Sequence, residues 1–267
     1  MSGTARSIGP SPWWPTSRLL NARAGKIRPG PATPAALLPS GREPSSRWTG
    51  PDQTGGSTMR IAILGSGNVG KALASSFTRA GHDVTMTASN PDNARAAASQ
   101  TGAQAANSNQ QAIADAEVVV LALQYPTVDA VLAEASQALD GKVLIDTTNR
   151  VNPADPGSVL DGTSASEQIQ ARAPGAKVVK AFNTAFASRQ ADPVIDGVAL
   201  DGYLAGDDDQ AKQTVSELVG SIGFRPIDVG PLVMARALEA LALLNIMLQI
   251  RNNWPWQAGF KLVGPTA

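Results

Sequence analysis

Residues 59–82 read MRIAILGSGNVGKALASSFTRAGH, and this stretch decides the fold. Ile61, Ala62, Ile63 and Leu64 form a short apolar run suited to a strand buried on both faces. Gly65-Ser66-Gly67-Asn68-Val69-Gly70 follows at once and reads G-x-G-x-x-G. From Val69 onward, Leu73, Phe77 and Ala80 recur at helical spacing, and Gly81 stands where a helix C-cap belongs. Strand, glycine turn and helix in that order are the context for dinucleotide binding. The first glycine allows the tight turn, the second lets a diphosphate approach the backbone, and the third lets the helix pack closely on the strand. The amides of Ser66, Asn68 and Val69 are expected to meet phosphate oxygens at the positive end of that helix.

The spacing next predicts a strand over Val84–Thr87 and a helix over Pro91–Gln100. NAD enzymes place an acid at the end of the second strand, on the ribose 2′-hydroxyl. Here the chain has Ala88-Ser89-Asn90, with no carboxylate until Asp92. Ser89 and Asn90 can donate to a 2′-phosphate, and Arg95 lies one helical turn on, so NADP is the expected cofactor.

Further strands are expected at 103–105, 118–123, 143–145, 177–181 and 224–229, with helices between them. That alternation means a Rossmann-type, doubly wound parallel sheet, with ligands beyond the carboxyl ends of the strands. Leu123-Gln124-Tyr125 and Thr147-Thr148-Asn149 stand at two of those ends. Asp207-Asp208-Asp209 is read as capping the helix that follows, a metal site being the alternative. Residues 232–250, LVMARALEALALLNIMLQI, are apolar almost all round and just reach the length of a membrane span. Arg236, Glu239, Asn245 and Gln249 interrupt the run, so a helix buried in the fold or between subunits is expected instead.

Residues 1–58 differ from the rest: they hold nine of the 19 prolines and three of the five tryptophans. Seven Lys/Arg against two acids give this segment +5, leaving 15 basic and 20 acidic residues, or −5, beyond it. Such a Pro/Gly/Arg-rich stretch cannot bury enough surface to offset its ordering, so disorder is expected, with Met59 as the natural start. The domain expectation is thus a tail at 1–58, a Rossmann domain at 59–230 and a helical segment at 231–267. The chain has no cysteine, which removes thiol chemistry and fits a reducing cytoplasm. Its single histidine, His82, is read as a polar turn residue, which leaves no histidine for a zinc site or a catalytic triad; no metal is expected.

The stretches MRIAILGSGNVG, VVKAFNT (178–184), YLAGDD (203–208) and GFRPIDVGPL (223–232), with the apolar helix ending near WPWQAGFKLVG (254–264), resemble the NADPH-dependent reductases of the deazaflavin coenzyme F420. The resemblance covers about residues 59–263. It implies a small carboxyl-terminal helical part, a homodimer, and hydride transfer between NADP(H) and F420, a small-molecule substrate, without nucleic-acid or membrane partners. It further implies that Gly65, Ser66, Gly67, Asn68 and Val69 hold the diphosphate, with Ser89, Asn90 and Arg95 on the 2′-phosphate. Leu123, Gln124 and Tyr125 would flank the nicotinamide ribose, with Thr148 and Asn149 near the ring. Lys180, Phe182, Asn183 and Thr184 would meet the second substrate. Many relatives have Arg where Asn90 stands, and archaeal members commonly have His at the place of Asn183. For the acidic F420 tail the candidate cations are Lys180, Arg236 and Lys261. Two other functions fit the same fold: an NADP-dependent reductase of a small carbonyl or imine compound, and a non-catalytic NADP(H)-sensing protein.

Overall fold

A computed structural model describes residues 57–264 except Val151, Pro153, Ala154, Leu160 and Asp161. The disorder expected over residues 1–58 therefore falls almost wholly outside the described residues. The chain opens with β1 (Arg60–Leu64), α1 (Asn68–Arg79), β2 (Asp83–Thr87), α2 (Pro91–Thr101), β3 (Gln104–Ala105) and α3 (Asn109–Ala114). It continues through β4 (Val118–Leu121), α4 (Val128–Ala135), β5 (Val143–Asp146), α5 (Ala165–Arg172), β6 (Lys177–Ala181) and α6 (Ala187–Ala191). A small hairpin, β7 (Val194–Ile195) and β8 (Val198–Ala199), precedes β9 (Asp201–Gly206), α7 (Asp209–Ser221), β10 (Arg225–Asp228) and α8 (Ala235–Asn252).

The main sheet runs in the order β10-β9-β6-β5-β4-β1-β2-β3. From β3 to β6 every pairing is parallel, as expected. At β9 the chain departs from that plan: β9 lies antiparallel to β6, and β10 is parallel to β9. Helices cover both faces. Ile61 and Ile63 join Leu73, Phe77, Val215 and Leu218 on one side. Ala62 and Leu64 join Ile113, Leu132 and Ile169 on the other. Alternate strand residues thus enter opposite cores, which is why β1 beyond Arg60, and the whole of β4, are apolar.

His82 lies in the turn between α1 and β2, as expected, and is tied down there. It is 9% exposed, its Nδ1 accepts from the Met59 amide at 3.3 Å, and its Nε2 lies 3.1 Å from Ser221 Oγ. Burial holds its pKa below the ordinary value. Of the three aspartates, Asp208 caps α7 by accepting from the Ala211 amide at 2.8 Å, in line with the capping reading.

The segment Leu232–Asn252 is long and apolar enough to cross a membrane by length and composition alone. In the fold, however, α8 turns three of its polar residues inward. Glu239, Asn245 and Gln249 are buried, while Leu244 and Ile250 are half exposed. The chain then returns along the sheet edge. Asp201 takes two bonds from Arg225, at 2.7 and 2.8 Å, one from Lys261 Nζ at 3.1 Å and one from the Leu262 amide at 2.6 Å. Those bonds keep the Asp201 carboxyl charged, below its usual pKa despite burial, which opposes them and is the largest single influence.

Candidate active site

The glycine turn is built as its spacing implies. Gly65 has φ +121°, and a Cβ there would stand 2.2 Å from the Ala122 carbonyl oxygen. Its amide donates to Thr87 O at 3.0 Å, so the first glycine is wedged between the ends of β2 and β4. A Cβ on Gly70 would stand 2.0 Å from Gly65 O, so the third glycine brings α1 against the turn. Around Gly67 nothing lies within 4 Å of the same test atom. The exposed middle glycine starts α1 with no side-chain cap and no acid in the first turn. Side chains cap α2, α3, α5 and α7, while α4, α6 and α8 also start without one, so it is the glycine turn before α1 that sets its start apart. The first amides of α1 are thus left for an outside acceptor, and an anion is what a helix start favours. A dinucleotide diphosphate fits that opening.

The register sets the other strand ends level: Leu64 pairs with Leu121, Leu121 with Asp146, and Asp146 with Lys180. Thr147 Oγ1 donates to Leu121 O at 2.9 Å, tying the end of β5 to β4. Asn149 and Asn183 grip each other: Asn149 Nδ2 donates to Asn183 O at 3.1 Å, and Asn183 Nδ2 to Asn149 Oδ1 at 2.9 Å. Phe182 precedes that pair in a left-handed conformation, φ +63°, which is costly for a bulky side chain. Its ring is wedged between Phe77 and Phe224, at centroid distances of 5.9 and 6.4 Å, and this packing holds the bend that brings Asn183 to Asn149. Gln124 is exposed, Leu123 and Tyr125 are half-buried, and the Tyr125 hydroxyl bonds Gln168 Oε1.

Beneath these residues lies a buried charge cluster. Lys180 Nζ donates to Asp146 Oδ2 at 2.9 Å, Thr148 O at 2.6 Å and Glu239 Oε1 at 3.1 Å. The three side chains are 0–1% exposed. Asp146 also accepts from the Thr148 amide at 2.8 Å and Ser166 Oγ at 2.6 Å, and Glu239 accepts from the Ala165 amide at 2.7 Å. On the half-exposed side of α8, Arg236 forms a two-point pair with Glu167, at 2.8 and 2.6 Å, and that guanidinium draws the Glu167 carboxyl down to about 2.

This arrangement changes several expected roles. Lys180 has all three ammonium protons engaged inside the protein, so the expected contact with a second substrate does not fit it. Phe182 is 2% exposed and belongs to the core. Asn183 and Thr184 are buried beside Asn149 and α8, where Asn183 Nδ2 also donates to Leu238 O at 3.0 Å. Ser89 is exposed at the end of β2. Asn90 uses its Oδ1 to cap α2, accepting from the Asp92 amide at 2.8 Å, which leaves its NH2 group as a donor. Arg95 is paired at the surface with Asp92 at 2.5 Å, so its charge is already answered. The cations suggested for an acidic tail are likewise paired: Lys180 with two carboxylates, Arg236 with Glu167, Lys261 with Asp201. Asp146, Ser166 and Glu239 were not among the expected site residues. Asp146 and Glu239 carried a signal, a lone charge ending or interrupting an apolar run, whereas Ser166 stands in a polar stretch and carried none.

The model of the family described as NADP oxidoreductase, coenzyme F420-dependent, matches residues 60–150. An F420-dependent NADP reductase of Methanothermobacter marburgensis is 32% identical over 212 residues, which are 73% of this chain and 94% of that protein. Metalloreductase STEAP3 of Rattus norvegicus is 32% identical over 189 residues; the match takes in 69% of this chain but spans only 36% of that protein. Among solved structures, a candidate F420-dependent NADP reductase from Arthrobacter sp. fb24 superposes with a TM-score of 0.68 at 30% identity, covering 77% of this chain and all of that one.

Proposed function

The chain belongs to the F420-dependent NADP oxidoreductase family and is an NADP-dependent oxidoreductase, and on that premise we propose that it passes a hydride between NADP(H) and coenzyme F420. The observation that carries the NADP(H) part of the reading is the uncapped start of α1 behind Gly67, and its F420 part is supported by the likeness to F420-dependent NADP reductases. Bound NADPH supplies the hydride from its nicotinamide, and the deazaflavin ring supplies the carbon that takes it. The protein's part is to bind, orient and keep water out. In this reading the amides from Ser66 to Val69, with Gly65 and Gly67, hold the diphosphate. Ser89 and the Asn90 amide group donate to the 2′-phosphate, and no carboxylate stands between them to repel it. Leu123, Gln124 and Tyr125 border the ribose, and Thr148, Asn149, Asn183 and Thr184 form the wall beside the ring. Arg95 takes part only by leaving Asp92.

The pairing of Lys180, Arg236 and Lys261 favours a second reading, in which the acceptor is a small carbonyl or imine compound without an acidic tail. We also place the contact of a homodimer on the outer face of α8, the turn before it and the tail, where Val233, Met234, Leu244, Ile250 and Leu262 are exposed. The deciding experiment mixes purified protein with NADPH and F420 and follows the nicotinamide and deazaflavin absorbance bands together. Matched changes in the two bands are expected. Turnover only with a carbonyl or imine panel would move the assignment to the second reading, and NADPH binding with no turnover would make the protein a sensor. Better use of NADH than NADPH would reject the roles given to Ser89 and Asn90.

A further inference from the structure

We propose that Lys180 is a positioning residue of the hydride-transfer site: with Asp146 it clamps the peptide groups of Thr148, and so fixes the wall that Thr148, Asn149 and Asn183 present beside the nicotinamide. This rests on the NADP(H) reading above. Thr148 lies beyond the end of β5, outside any helix or strand. Yet both of its peptide groups are held by buried charge. The amide donates to Asp146 Oδ1 at 2.8 Å, and the carbonyl accepts from Lys180 Nζ at 2.6 Å. Bonds to ionised partners are shorter and stronger than neutral ones, so this one residue is gripped from both sides.

Lys180 is itself held from two directions, by Asp146 on β5 and by Glu239 on α8. Glu239 also accepts from the first amide of α5, which registers that helix against the clamp. Burying an ammonium with two carboxylates is a poor way to gain stability, since apolar residues of the same volume often do as well or better. What the cluster provides instead is a single geometry. Asn149 inherits it at once, because it is the next residue and its side chain locks to Asn183. The Asn183 amide cannot turn over, because its Nδ2 faces both Asn149 Oδ1 and Leu238 O. That leaves Asn183 Oδ1 buried without a partner, and Thr148 Oγ1 is in the same state. Among the described residues three further buried side-chain atoms, Thr78 Oγ1, Arg189 Nε and Gln190 Oε1, are in that state elsewhere in the fold, so the wall is distinguished by its clamp and not by these oxygens.

The test compares Lys180→Met and the charge-matched Lys180→Met/Glu239→Gln double variant with wild type. The double variant guards against a single variant that fails to fold. Folding is read by circular dichroism and Tm, NADPH affinity by fluorescence titration, and hydride transfer by kcat and by the deuterium isotope effect with 4-deuterated NADPH. The expected result is a folded variant with NADPH affinity close to wild type, kcat lower by about 10²-fold, and a larger isotope effect, as misplacement of ~1 Å produces. A folded variant with wild-type kcat and isotope effect overturns the proposal, as does an equal loss of NADPH affinity and rate. If the wild type does not reduce F420, the F420 reading fails separately. The clamp is then read from the bound NADPH emission, which is expected to shift in the variants; identical spectra overturn it.

Discussion

The three glycines of the turn make opposite demands on a methyl group. At Gly70 a Cβ meets the Gly65 carbonyl oxygen at 2.0 Å, backbone against backbone, with nothing flexible to yield. Gly70→Ala is therefore expected to lower stability by about 1–3 kcal/mol, the ordinary range for overpacking, in a urea titration. At Gly67 the backbone is extended, φ −72°, and the methyl would project into open space. Gly67→Ala should leave the urea midpoint within ~0.5 kcal/mol of wild type. On the reading proposed above it should nevertheless weaken NADPH binding at least tenfold by calorimetry, because the methyl would occupy the volume assigned there to the diphosphate. Normal binding by Gly67→Ala would remove the diphosphate from this turn. The tight fit of Gly70 on the turn was legible from residues 65–70 because it depends on backbone five positions away, whereas the carbonyl of Ala122 that Gly65 meets is supplied by the end of β4. The cluster of Asp146, Lys180 and Glu239 was not legible, because its partners lie 34 and 59 residues apart and only the closed sheet brings them together.

At the scale of elements, His82 pins the lead into β1 to the end of α7, through the Met59 amide and Ser221 Oγ. A ring accepting at Nδ1 carries its proton on Nε2, and a second proton on Nδ1 would remove the bond to Met59. Burial lowers the native pKa from its ordinary 6.5, so the unfolded chain takes up a proton that the native chain resists. The stability from neutral His82 is complete above pH 6.5 and is lost as pH falls through the lowered native value, levelling off beneath it. Tm measured from pH 7.5 to 5 should show that decline, and His82→Gln should flatten it. As the chain has one histidine, a decline that survives the substitution would exclude this assignment. The parallel strands β1 to β6 were legible because buried parallel strands are apolar throughout and alternate with helices. The reversal at β9 was not: an antiparallel neighbour requires no long helical crossover, and α6 with the β7–β8 hairpin carries no periodicity strong enough to show the chain turning back. In α8 the apolar run was plain, but which face would be covered was not. Its hydrophobicity is spread round the helix, and three buried polar side chains choose the inward side.

For the molecule as a whole, that inversion leaves Leu244 and Ile250 half exposed on α8, with Trp254 and Leu262 exposed on the tail behind it. Light scattering after size exclusion should show a dimer, and Leu244→Glu/Ile250→Glu should give a monomer whose circular dichroism is unchanged, since neither side chain belongs to the core. A wild-type monomer at micromolar concentration would remove the subunit contact from this face. The tail is fastened separately, by Asp201 to Lys261 and the Leu262 amide, so the last elements of the chain complete both the sheet edge and the charge cluster. The bond from Lys180 to Glu239 has a consequence for biosynthesis. On the ribosome, β6 and the start of α5 emerge well before α8, and until residue 239 clears the exit tunnel one ammonium proton and the Ala165 amide have no acceptor within the nascent chain. The charge cluster therefore closes only late in synthesis, and a message cut short of α8 would leave the Lys180 ammonium and the Ala165 amide without the carboxylate that Glu239 brings to them.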